Sequence, residues 1–218
     1  MLSLNNVSVY FKNHAGLLNI SIGVNKGDFV YIVGPTGAGK TTLLRTIYMD
    51  LIPDEGYVQF GEYSSLTIKR RRIPYVRRQI GVVFQDFKIL EDRTAFGNIV
   101  FALGAIGLSL RTAKEKAIRA LTNVGLKSKK DSYPFELSQG ELQRTCIARA
   151  IANNPLIILA DEPTGNLDPK TAHEIFSLLK KLNERGIAVI TATHNYRIIR
   201  DFPGRIIFLK NGRRVEKI

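Results

Sequence analysis

The run Phe29-Val30-Tyr31-Ile32-Val33 is continuously apolar and rich in β-formers, and it passes directly into Gly34-Pro35-Thr36-Gly37-Ala38-Gly39-Lys40-Thr41. The second stretch fits G-x-x-x-x-G-K-[ST] in full. Thr42-Leu43-Leu44-Arg45 then begins a helix. Strand, loop and helix in that order are the context a phosphate-binding loop needs. Glycines let backbone N–H groups turn inward around a β-phosphate without Cβ clashes. The helix adds its positive N-terminal end. Lys40 suits the β- and γ-phosphates, Thr41 offers a hydroxyl to Mg²⁺, and Thr42 can add a phosphate contact. A purely structural glycine turn would not need the buried strand before it. The loop leaves ATP and GTP open, and kinase and hydrolase as well.

The remaining pattern extends this unit. Leu4–Phe11 and Leu17–Val24 read as strands, with a turn at Asn25–Asp28. Pro53–Gly56 is a turn before a short strand to Phe60, and Ile80–Phe84 is a buried-type strand. From about Asp92 to Ala152 the periodicity is helical, with Ala113–Val124 amphipathic. Strands return at Leu156–Leu159 and Ala188–Thr193, separated by a helix over Lys170–Arg185. Strand–helix–strand order implies a parallel sheet. A hairpin around Asn211-Gly212 is expected near the end. The 218 residues suit one domain with an inserted helical lobe.

Several classes drop out on composition. The apolar window Ile99–Leu110, broken by Gly104 and Gly107, falls short of the roughly 20 residues of a membrane span and reads as a packed core helix. Met1–Asn6 has neither the basic start nor the apolar run of a secretory leader. The single cysteine, Cys146, cannot form an intrachain disulfide, and its setting in a helix predicts a buried structural thiol in a reducing cytosol. The net charge of +13 favours polyanionic neighbours: nucleotide, nucleic acid or an anionic membrane leaflet. Its basic clusters include Lys69–Arg72, Arg77-Arg78 and Lys210 with Arg213-Arg214. For any one cluster, a solvated surface is the plainer explanation.

Leu156–Ala160 is an apolar strand that ends in Asp161-Glu162. Successive strand residues point opposite ways, so the two carboxylates can take different tasks. Asp161 suits a Mg²⁺ shell, and Glu162 suits a water poised for in-line attack on a γ-phosphate.

With Leu137-Ser138-Gln139-Gly140-Glu141 lying upstream of that acidic strand, the chain resembles the ABC ATPases over essentially its whole length. That resemblance implies an α/β fold: a phosphate-loop NTPase with a RecA-like parallel or mixed sheet, an N-terminal antiparallel β subdomain and an inserted α-helical subdomain. The core would cover about 1–90 and 153–218, and the helical subdomain about 91–152, within a single domain 1–218. It implies ATP and Mg²⁺ as cofactors. Gln85 resembles the glutamine that touches Mg²⁺ or the attacking water, and Asn166-Leu167-Asp168 the loop that crosses a dimer interface. His194 resembles the histidine that bonds the γ-phosphate. Ser138, Gln139, Gly140 and Glu141 would act on the nucleotide of a second copy. An aromatic residue of an early strand stacks the base in this family; Phe11 is preferred here over Tyr10. Two positions depart from the pattern: Gln139 where glycine is common, and Asn195 where an acid is common.

Within the family, Arg77–Leu90 with Asp92-Arg93-Thr94 is similar to a cell-division branch, while Leu159–Asp168 is shared with lipoprotein-release and exporter branches. The implied partners are a second copy, joined through ATP, and a separate integral membrane subunit gripped around Asp86–Phe96. The implied location is the cytoplasmic face of the cell membrane, with a possible contact to the anionic inner leaflet. Nucleic acid is not the expected partner, since the helical insert is too short for the long coiled coil of repair-type relatives.

Overall fold

A computed structural model describes residues 1–12 and 14–216. The chain opens with β1 (Leu2–Phe11) and β2 (His14–Val24), paired antiparallel with Leu2 opposite Val24. β3 (Phe29–Val33) follows the turn at Asn25–Asp28, and all five of its residues are buried. It leads through the glycine loop into α1 (Lys40–Ile47). β4 (Glu55–Phe60) and the two-residue β5 (Tyr63–Ser64) complete a four-stranded antiparallel sheet in the order β2-β1-β4-β5.

A short helix α2 (Ile73–Arg77) precedes β6 (Ile80–Val83). Three helices then intervene before the next strand: α3 (Ala95–Ala105), α4 (Leu110–Asn123) and α5 (Gln139–Ile151). β7 (Ile157–Asp161), α6 (Pro169–Glu184), β8 (Ala188–Ala192), α7 (Tyr196–Asp201), β9 (Arg205–Lys210) and β10 (Arg213–Val215) finish the chain. The second sheet has the order β10-β9-β3-β8-β7-β6 and is parallel except for the β9–β10 hairpin. The α/β fold class read from the sequence is therefore present, including its antiparallel sheet and helical part.

Strand alternation divides the core in two. In β3, Phe29, Tyr31 and Val33 face one apolar cluster, and Val30 and Ile32 face the other. β7 divides likewise, with Ile158 and Ala160 on the first side and Ile157 and Leu159 on the second. A period of two on a sheet covered on both faces gives an all-apolar strand. The first cluster is roofed by α3–α6, and the second lies between the parallel sheet, α1 and the antiparallel sheet. Tyr31 keeps its hydroxyl satisfied by donating to the Phe202 carbonyl at 2.6 Å, and burial raises its pKa.

One local expectation needs amendment. The window Ile99–Leu110 is not one packed core helix: α3 stops at Ala105, and Gly107 turns the chain at φ 92°. Phe101 is 50 % exposed under the Arg93 guanidinium, and Leu110 begins α4 at the surface. Only one face of α3 is buried, as an amphipathic helix requires. Its buried Asn98 accepts from the Leu90 N–H and donates to the carbonyls of Leu90, Arg93 and Thr94, fixing the preceding loop. The helices α2 and α7 and the strand β5 went unread, being too short for a periodicity to register.

Candidate nucleotide site

The carboxyl ends of neighbouring parallel strands converge, which is where open α/β sheets place their ligands. The glycine loop follows β3, Gln85 follows β6, Asp161 ends β7 and His194 follows β8. A hollow of about 380 Å³ is lined by Thr36, Gly37, Gly39 to Thr42, Gln85, Asp161, Glu162 and His194, with Gly165 and the strand residues His14 to Gly16.

The loop is shaped by backbone demands. Gly39 has φ 101°, and a Cβ there would meet the Gly16 carbonyl oxygen at 2.6 Å, so both conformation and space call for glycine. Gly39 is also the N-cap of α1 and brings no side chain to cap it. The first N–H groups of α1 therefore stay available for an anion. Lys40 Nζ donates to the carbonyls of Gly34 (2.7 Å) and Pro35 (3.1 Å) and lies 3.8 Å from Glu162 Oε1. Its ammonium thus spans the mouth of the cradle.

Thr41 Oγ1 donates to Asp161 Oδ2 at 2.7 Å. Burial raises the Asp161 carboxyl above the usual range, partly offset by that hydrogen bond. Glu162 sits one residue on with φ 42°, a left-handed conformation that turns it out of the strand. Its Oε1 is 3.0 Å from His194 Nδ1. The Glu162 side chain is only 12 % exposed, whereas that of His194 is 71 % exposed. One largely buried carboxylate thus faces one cation and one imidazole at the edge of the hollow.

Gln85 also lines a second, adjoining cleft of about 640 Å³, shared with Thr41, Asp161, Asn166 and Lys88. The segment after it is unusual: Phe87 (φ 58°) and Lys88 (φ 48°) are both left-handed and neither is glycine. That conformation costs an L-residue about 1–2 kcal/mol. The Arg149 guanidinium, in the last turn of α5, donates to both their carbonyls, and Cys146 Sγ donates to the Phe87 carbonyl at 3.3 Å. Ser138 caps the other end of the same helix. One rigid element thus joins Ser138 to the Gln85 segment.

Cys146 is buried, and burial pushes its thiol up to about 11. Iodoacetamide is therefore expected to leave the native protein unlabelled at neutral pH and to label it once unfolded. Labelling of the native chain at the unfolded rate would remove the structural role.

The segment Ser138–Glu141 is not among the residues lining the nucleotide hollow of its own chain. Ser138 Oγ accepts from the Glu141 N–H, and the Glu141 carboxylate accepts from the Ser138 N–H and hydroxyl at 2.9 and 3.0 Å. This is a capping box, and it had not been read from the sequence despite its S-x-x-E spacing. Those hydrogen bonds, the backbone N–H foremost, lower the Glu141 pKa. Gln139 is exposed in the first position of α5 and has no left-handed φ, so its backbone makes no demand for glycine. Gly140 does have a local reason: a Cβ would stand 2.6 Å from Thr171 Cγ2 of α6.

Asp168 caps α6 by accepting from the N–H groups of Lys170 and Thr171. Leu167 packs against the helical side of the core, and Asn166 faces the adjoining cleft. Asn195 caps α7 through the Ile198 N–H, a task that Asn and Asp perform alike. Phe11 packs against His14 with ring centroids 5.3 Å apart, and a Cβ on Gly16 would meet its ring at 2.5 Å, so it neighbours two lining residues without itself lining the hollow. Tyr10 points away and donates to Glu55 Oε2. His14, Ala15, Gly16 and Gly165 were the lining residues not foreseen; the signal of the first three was two small residues at the start of a strand facing the loop.

Comparisons with known proteins give the family of the chain. A family profile described as ABC transporter matches residues 17–165. The cell division ATP-binding protein FtsE of Streptococcus pneumoniae is 44 % identical over 207 residues, covering 95 % of this chain and 90 % of that protein. The methionine import ATP-binding protein MetN 1 of Enterococcus faecalis is 39 % identical over 221 residues, covering 99 % of this chain and 62 % of that protein. A dimeric ATP-binding cassette solved in a post-hydrolysis state with ADP and Pi superposes with a TM-score of 0.87 at 37 % identity, covering all of this chain and 97 % of that one. With its phosphate loop, acidic strand end and histidine gathered at one sheet edge, the chain belongs to the ABC transporter family and hydrolyses ATP.

Proposed function

We propose that this chain is the ATPase subunit of an FtsE-type complex, closing as a homodimer around ATP to drive a separate, FtsX-like membrane protein in cell division. The observation that carries the dimer is the position of Ser138–Glu141, which does not line the chain's own nucleotide hollow. A second copy supplies it, in line with the dimeric cassette of similar fold. The Ser138 hydroxyl then exchanges its bond to Glu141 for the γ-phosphate of the facing subunit. Asn166, Leu167 and Asp168 border that interface. The cell-division assignment is supported by the 44 % identity to FtsE across nearly the full length of both chains.

In each site the backbone N–H groups of residues 37–41, with Lys40, hold the phosphates, and Phe11 stacks the base. Glu162 takes a proton from the water that attacks the γ-phosphorus as the bond from that phosphorus to the bridging oxygen breaks and ADP leaves, and the neighbouring His194 imidazole bonds the γ-phosphate. Thr41, Asp161 and Gln85 are oxygen donors of the kind Mg²⁺ takes, and Thr41 Oγ1 and Asp161 Oδ2 stand 2.7 Å apart at one edge of the hollow. Such an ion, when bound, neutralises charge on the phosphate oxygens and relieves the desolvated Asp161 carboxylate.

No described helix is long and apolar enough to cross a membrane. On the FtsE reading the membrane-spanning part is another chain, and the ATPase sits at the cytoplasmic face. The cleft beside Gln85 receives it. The match to MetN supports a second reading, the ATPase of a transporter; lipoprotein-release and MacB-type systems, which share the run Leu159–Asp168, are two forms it could take. Capture of the chain from solubilised native membranes separates them. The FtsE reading expects a permease-like protein whose depletion blocks division. Recovery with a solute or lipoprotein permease, and normal division on its loss, would leave only the transporter reading.

A further inference from the structure

Between β5 and α2 the chain exposes Lys69, Arg70, Arg71 and Arg72 in succession, the last three forming a single 3₁₀ turn. None of the four enters an ion pair among the described residues. Glu62, close to Tyr63, is the acid at the base of the segment. Apolar groups are interleaved with this charge: Leu66 is 68 % exposed and Tyr75 45 % exposed. Helix α2 continues the patch into Arg77 and Arg78, which line a hollow with Tyr48, Phe84 and Ala102 beside the Gln85 cleft. Arg77 there is paired with Asp50 at 3.8 Å, so the free charge of the patch is that of residues 69–72, joined to the hollow through α2.

We propose that the segment Leu66–Arg78 is a lipid-contacting surface that binds the headgroups of anionic phospholipids. Clustered basic side chains meet lipid phosphates, while an amphipathic tyrosine and a leucine suit the boundary between headgroup and acyl chain. A nucleic acid would use the patch less well. Leu66 has no partner on a phosphate backbone, and Tyr75 is the only aromatic ring between Leu66 and Arg78, too few for the successive base stacking of a single strand. Placing the patch toward the bilayer rests on the reading that the cleft takes a membrane partner. Lipid binding by the isolated chain does not depend on that reading and is tested apart from it.

Co-sedimentation of the purified full chain with vesicles decides the matter. Binding is expected to phosphatidylcholine vesicles containing phosphatidylglycerol, not to phosphatidylcholine alone, and is expected to weaken with salt. Each exposed charge near an anionic surface is worth about fivefold in partition, so Arg70→Gln/Arg71→Gln/Arg72→Gln should lose on the order of a hundredfold. ATP turnover in that variant should be unchanged, which also reports its folding. The control Lys210→Gln/Arg213→Gln/Arg214→Gln removes the same charge beside and on β10, at the opposite edge of the sheet from β6, and should retain binding. Equal loss in both variants would overturn the proposal, as would no loss in either or no preference for the anionic lipid. Tighter retention of a DNA or RNA oligonucleotide than of vesicles, abolished by the triple arginine variant, would also overturn it and give the patch to nucleic acid.

Discussion

Glu162→Gln is expected to lower ATP turnover by roughly a hundredfold or more, the usual contribution of a positioned base, while ATP binding persists. Glutamine keeps the shape of the side chain and can still bond His194 Nδ1, now 3.0 Å from Glu162 Oε1. It cannot accept a proton from water. Loss of one negative charge 3.8 Å from Lys40 Nζ should also make the site kinder to the γ-phosphate. The variant should therefore collect as an ATP-bound dimer. Phosphate release reads the first effect and light scattering during size exclusion the second. Wild-type turnover in the variant would remove Glu162 from the chemistry. A strict monomer at saturating ATP, with turnover lost, would keep the base but argue against closure around nucleotide without the membrane partner.

Lys40→Ala should act one step earlier, on binding. Lys40 is the lysine that reaches into the cradle, bonded to Gly34 and Pro35 of its own loop. A charge-assisted hydrogen bond is worth about 1.5–3 kcal/mol, so ATP affinity should fall by roughly ten- to a hundredfold and turnover with it. The surrounding fold should hold, because the loop backbone is kept by the φ values of Gly37 and Gly39 rather than by the lysine. Calorimetric titration checks the affinity, and the far-ultraviolet circular dichroism spectrum checks the fold. Unchanged affinity would sink the assigned role. Together the variants separate holding the phosphates from cleaving them.

Much of the core was legible because its signals are local. β3 was read to the residue, since a sheet strand covered on both faces is apolar at every position. The glycine loop was legible because backbone demands hold glycine at fixed places: left-handed φ at Gly37 and Gly39, and a close approach to the Leu209 carbonyl at Gly34. Signals failed where an element is too short for its period to repeat, as in the helices α2 and α7, each under two turns, and the two-residue β5. They also failed where one residue type serves two purposes. The apolar stretch through α3 looked like core, yet Phe101 lies at the surface, because composition cannot say which helix face is covered.

The sequence by itself determined the α/β class, the phosphate loop and the acidic strand end, all of which depend on neighbours within a few residues. Only the tertiary structure decided what lies across from them. Thr41 and Asp161 are 120 positions apart and meet at 2.7 Å, and Arg149 reaches Phe87 over 62 positions. It also gave Gly140 a packing reason against Thr171 and left Gln139 free of any backbone demand for glycine. Such contacts follow from which strands lie side by side, and in a parallel sheet that order is set by crossovers through the core rather than by any local run of residues.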